Sequence, residues 1–169
     1  MPEPWLRGTL IEVQFVQRAV LHALEQTRED ASHWCEGLTT DQIHARPSDL
    51  PSIAFQIRHI AGSLDRLLTY AEGRPLDSIQ LEALKNEGAD EESREELMSG
   101  FDEALNRAEA RVRDFNPASF EAERFVGRAG LPTTTGSLLI HSAEHTMRHV
   151  GQLITTAKVV RAMRPEKTN

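Results

Sequence analysis

The stretch His141-Ser142-Ala143-Glu144-His145-Thr146-Met147-Arg148-His149-Val150-Gly151-Gln152-Leu153 carries three of the chain's seven histidines at strict four-residue spacing. On an α-helix a four-residue step turns the side-chain direction by only about 40°, so successive members lie one turn apart on one face. Two imidazoles so placed can share one metal ion. The apolar residues around them, Leu139, Ile140, Ala143, Met147, Val150, Ile154 and Ala157, recur mostly at three- and four-residue steps. They predict a helix from about Thr135 or Gly136 to Met163, stopped before Pro165. By angular count the three histidines stand about 120–160° from the centre of that stripe.

Working outward, the rest of the chain is also dominated by helical periodicity. Thr9 to Glu36 predicts a first helix, with Val13, Val16, Val20, Leu24 and Ala31 apolar and Gly37 as its stop. Thr39 to Ile43 reads as a capped single turn, followed by the connector Pro47-Ser48-Asp49-Leu50-Pro51. A second long helix spans about Ser52 to Glu72 on the stripe Ile53, Ile57, Ile60, Leu64, Leu67, Leu68 and Ala71. His59 lies about 140° from that stripe, on the side of Phe55, Ser63, Arg66 and Tyr70. Asp77 to Asn86 allows a short helix. The acidic run Glu87 to Glu96 leads into a third long helix, about Glu92 to Phe115, whose Glu- and Arg-rich face reads as solvated surface. Residues 118–135, with Gly127, Gly130 and Pro132, lack a helical period and read as a long loop or a loop holding a short strand pair. The expectation is a single all-α domain over residues 1–169. Its form is an up-down-type four-helix bundle with short extra helices and a long loop before the last helix.

Composition narrows the function classes. The 169 residues suffice for a sizeable core. No run approaches the roughly 20 apolar residues that cross a bilayer, and Met1-Pro2-Glu3-Pro4-Trp5 does not resemble a signal peptide. The single cysteine, Cys35, permits no internal disulfide, which fits a reducing cytoplasm. A net charge of −7 argues against nucleic acid as a partner. The expected partner is a small molecule, with no membrane and with a homodimer as one possible assembly.

Three neutral imidazoles from two helices suit Zn²⁺ or Ni²⁺ first, with Fe²⁺, Mn²⁺ and Co²⁺ also compatible. Three protein ligands leave a position for water or substrate. The spacing is not His-Glu-x-x-His, so a zincin protease is excluded, and one cysteine excludes a Cys-rich structural zinc site. Surface histidines are the competing reading for His145 and His149, and the case for His59 depends on that pair. Arg58, Arg66 and Arg148 could meet an acidic cofactor or substrate, although ion pairs with the many glutamates are simpler. Glu144 points about 100° away from His145, poorly placed as a base. Cys35 reads as a buried small hydrophobe.

The segment His141-x-x-x-His145-x-x-x-His149-Val-Gly-Gln-Leu resembles the C-terminal signature of the DinB/YfiT-like metal-binding family. Ser52-Ile53-Ala54-Phe55-Gln56-Ile57-Arg58-His59-Ile60-Ala61 is similar to its second-helix segment. Tyr70-x-x-Gly73 with Leu76-Asp77, and Val126-Gly127-Arg128 with Leu131-Pro132-Thr133-Thr134, resemble the large DinB-like subgroup. The resemblance implies a four-helix bundle with a divalent metal on His59, His145 and His149, leaving His141 beside the site. It also implies a metal-dependent transferase that uses a low-molecular-weight thiol. A metal-dependent hydrolase and a non-enzymatic metal-binding or stress protein are the alternatives.

Overall fold

Among the described residues, five of the six α-helices begin at a side chain that accepts a hydrogen bond from the first turn's own N–H groups, which have no partner within the helix. In the computed structural model, which describes residues 1–89 and 92–163, these caps are Thr39, Ser52, Asp77, Ser93 and Thr134. They open α2 (Thr40–His44), α3 (Ile53–Ala71), α4 (Ser78–Lys85), α5 (Arg94–Asp114) and α6 (Thr135–Ala162). The first helix, α1 (Phe15–Cys35), starts six residues later than its apolar period suggests. Leu10 turns the chain with a φ of 59°, and the segment before α1 is held by Arg7 on Glu25 and Glu29.

Between α5 and α6 an antiparallel pair forms from β1 (Glu123–Val126) and β2 (Leu131–Thr134), with Glu123 opposite Thr134 and Val126 opposite Leu131. Gly127 and Gly130 take left-handed φ values of 70° and 59° at the turn, a conformation that glycine adopts without steric cost. This hairpin fixes where α6 starts. Arg124 Nε donates to the Ala71 carbonyl at 2.7 Å, and the Thr135 hydroxyl reaches the same carbonyl at 3.4 Å. The N-terminus of α6 is thereby pinned beside the C-terminus of α3.

The protein is mostly helical, and its core lies where α1 and α3 each pack against both α5 and α6. Cross-helix contacts give the directions. Thr135 meets Ala71 and Thr156 meets Pro51, so α3 and α6 run oppositely. Gln17 meets the Val112 carbonyl and Arg28 meets Asp102, so α1 and α5 also run oppositely. Arg94 meets Thr40 whereas Arg111 meets Asp65 and Glu72, so α5 follows the sense of α3. Arg161 meets the Glu36 carbonyl and Thr27 meets Met147, so α6 follows the sense of α1. The long helices α1, α3, α5 and α6 therefore run up, down, down and up, which corrects the alternation that the up-down-type expectation implies. Residues 72–89, with short α4 inside them, are by themselves long enough to span the roughly 28 Å of a 19-residue helix.

The buried face of α6 also differs from the apolar count. Thr135, Ser142, Thr146 and Thr156 are buried, whereas Ile140 is 49% exposed. Small polar residues fit where helices approach closely, and a count of apolar letters alone skips them. Recentred on the buried positions, the face lies about 40° from His149, 80° from His145 and 120° from His141. The histidines thus climb away from the core edge instead of standing opposite it.

Cys35 is buried as expected, and burial pushes its thiol up to about 11. The native protein is expected to resist alkylation at about pH 8 and to take up one equivalent of reagent after unfolding in denaturant. Modification of the native protein at a free-thiol rate would contradict this placement.

Candidate metal centre

The antiparallel register of α3 and α6 sets the site. From the Ala71–Thr135 contact, His59 lies 12 residues back along α3 and His145 lies 10 residues on along α6, so at about 1.5 Å per residue they reach the same level. One turn further on, His149 faces α3 at the level of Gln56. One ligand atom from each of His59, His145 and His149 lies within 4.8 Å of the others. His59 Nε2 and His145 Nε2 are 3.0 Å apart. His141 stands aside: its side chain is 47% exposed, and its ring centroid is 5.6 Å from that of His145. The progressive 40° rotation accounts for this difference.

Hydrogen bonds assign the nitrogens. His59 Nδ1 is 2.8 Å from Glu87 Oε2, an acceptor-only atom when the carboxylate is ionised, so Nδ1 carries the proton and Nε2 presents a lone pair. His149 Nδ1 donates to Gln56 Oε1 at 2.7 Å. The amide orientation of Gln56 follows because its Nε2 donates to Gln152 Oε1 at 2.9 Å. A histidine that ligates a metal through one nitrogen and holds a carboxylate or carbonyl through the other has this pattern of bonds. Phe55 stacks on His59, with centroids 5.6 Å apart and planes 13° from parallel, and limits ring tilt.

The protonation states fit a cation. Burial, aided by the neighbouring His149, His59, His141 and Arg148, lowers the His145 pKa from its ordinary 6.5 to about 4. Burial, then His59 and Arg148, also lowers that of His149. These imidazoles are therefore neutral near pH 7 and free to donate electron pairs. The donor set is compatible with one divalent ion and leaves part of the coordination sphere open.

A pH dependence follows. His145 binds its proton more weakly in the folded chain than in the unfolded one, so its contribution to stability is fully present above about pH 6.5 and is lost as pH falls towards 4. Melting temperatures of the metal-free protein are expected to fall across that interval more steeply than those of His145→Asn. Equal slopes would remove His145 as the cause.

Two supporting residues were not evident from sequence. Glu87 begins the acidic run that leads into the third long helix and carried no reading of its own, yet it is only 7% exposed. Gln56 sits in the second-helix segment without any mark of its role. Of the three arginines considered, Arg66 pairs with Glu87 at 2.7 Å and Arg58 with Glu92 at 2.9 Å. Arg148 is exposed and forms no ion pair among the described residues. Ser63 donates to the Ile60 carbonyl within its own helix. Glu144 is exposed and lies near His141, not His145. A groove of about 830 Å³ is lined by Glu87, Arg58, Leu97, Phe101 and Arg111 among others, and none of the three histidines lines it.

No helix among the described residues is long and apolar enough to cross a membrane. Comparison with curated proteins and with solved structures returned no match. The family profile of the DinB superfamily matches residues 23–153, a span that includes all three converging histidines. With most of its length matched, from within α1 to within α6, the chain belongs to the DinB superfamily.

Proposed function

We propose that the chain is a four-helix-bundle protein that holds one divalent metal ion on His59, His145 and His149 and acts as a thiol-dependent transferase on small electrophiles. The observation that carries the metal reading is the convergence of the three imidazoles within 4.8 Å, with the outer nitrogens of His59 and His149 already engaged. Zn²⁺ and Ni²⁺ suit an all-imidazole set best. A divalent ion held there supplies Lewis acidity that favours the thiolate form of a thiol.

The remaining work falls to the chain. Glu87 and Gln56 orient two imidazoles through their Nδ1–H groups. Phe55 covers one face of His59. Arg148, exposed beside His149, offers a guanidinium to a carboxylate of the thiol or of the electrophile. The chain's own thiol supports an external nucleophile, because Cys35 is buried with its pKa near 11. In the transfer, the thiol loses its proton to solvent, its sulfur forms a bond to the electrophilic carbon, and the leaving group departs from that carbon with the electron pair of the broken bond.

Metal-loaded, untagged protein is expected to consume bacillithiol, mycothiol, glutathione or coenzyme A in the presence of a model electrophile, and to stop when a chelator is added. Absence of metal-dependent thiol consumption with every one of these would sink the transferase assignment.

A further inference from the structure

Glu87 belongs to the connector between α4 and α5, yet its carboxylate is inserted against α3. A buried carboxylate is costly unless it is paired. Here one oxygen accepts a hydrogen bond from His59 Nδ1–H at 2.8 Å, and the other lies 2.7 Å from Arg66 Nη2. Arg66 stands seven residues after His59, two helical turns along the same face. The connector is tied a second time, since Arg58 Nη1 donates to the Glu87 backbone carbonyl at 3.2 Å.

The space for this pair comes from a glycine. Gly62 lies inside α3, where glycine ordinarily weakens a helix. A Cβ built on Gly62 would lie 2.7 Å from Arg66 Nη1 and 2.8 Å from Glu87 Oε1. Both are ends of flexible side chains. A methyl group there would displace the charged pair and leave the helix backbone in place.

We infer that Gly62, Arg66 and Glu87 form a cradle that fixes the tautomer and orientation of His59, which makes Glu87 a positioning residue for the metal contributed from outside the ligand helices. This inference rests on the metal reading above. Loss of such an outer partner costs about 10–100-fold in metal affinity. Arg66 enters through Glu87, and Gly62 enters through both.

The test is metal affinity, read by competition with a chromogenic chelator for Zn²⁺, in untagged wild type, Glu87→Ala and Gly62→Ala. Each variant is expected to bind about 10–100-fold more weakly than wild type. Gly62→Ala is the sharper probe, because it leaves every ligand and charged side chain in the chain, and the roughly 1 kcal/mol that alanine adds to a helix interior offsets part of the cost of displacing the pair, so the metal-free protein is expected to stay folded while affinity falls. A merely structural role for Gly62 would leave the affinity of the folded fraction at the wild-type value. A second readout is the ¹⁵N shift pattern of the His59 ring in the metal-free protein. It is expected to show the Nδ1–H tautomer in wild type and a mixture of tautomers in both variants. Wild-type affinity and an unchanged His59 tautomer in both variants would overturn the cradle while leaving the metal site standing. Failure of the wild type itself to bind Zn²⁺ would overturn both.

Discussion

His145→Ala is expected to weaken divalent-metal binding by more than the roughly 100-fold that loss of an outer-sphere partner costs, because it removes a donor atom outright. His141→Ala, one turn away on the same helix, is expected to leave affinity unchanged. The contrast rests on position alone. His145 Nε2 lies 3.0 Å from His59 Nε2, whereas the His141 side chain is 47% exposed and meets Glu144 at 3.8 Å. Calorimetric titration of both variants with Zn²⁺ measures the difference. Similar losses in the two would mean that the histidines act as a linear triplet along α6 and that α3 contributes nothing.

Phe101→Ala is expected to lower the unfolding free energy by about 3–5 kcal/mol, the range for emptying a buried aromatic site. Phe101 is 2% exposed and sits in the core on α5, which supplies none of the three histidines. Urea unfolding of the metal-free variant measures the loss. In the folded fraction, metal stoichiometry is expected to stay that of the wild type, separating core packing from the site. A loss below about 1 kcal/mol would mean that neighbouring side chains collapse into the space, or that the packing around α5 differs from that described.

The sequence signals differ in how far they reach. The converging histidines were legible because helical spacing places His145 and His149 on one face, and because the segment around His59 resembles a known partner. Helix boundaries followed capping residues, except at Leu10, whose left-handed backbone conformation no local signal announced. The burial of Glu87 was hidden by its setting. Nothing within the acidic run sets Glu87 apart from its neighbours, and only the tertiary fold brings it to Arg66 on α3. Helix direction was hidden for a related reason: the sense of α5 is set by its contacts with α1 and α3, not by any period within α5. The face of α6 was misjudged through Ser142, Thr146 and Thr156, which are polar by letter and buried by contact.

The metal-site claim is tested most directly by metal analysis of the purified protein, expressed without a polyhistidine tag, beside His59→Ala and His149→Ala. One equivalent of divalent metal per chain in the wild type, and little or none in either variant, is the predicted result. Undiminished metal in either variant, or none in the wild type after incubation with Zn²⁺ and Ni²⁺, would contradict a centre built from His59, His145 and His149.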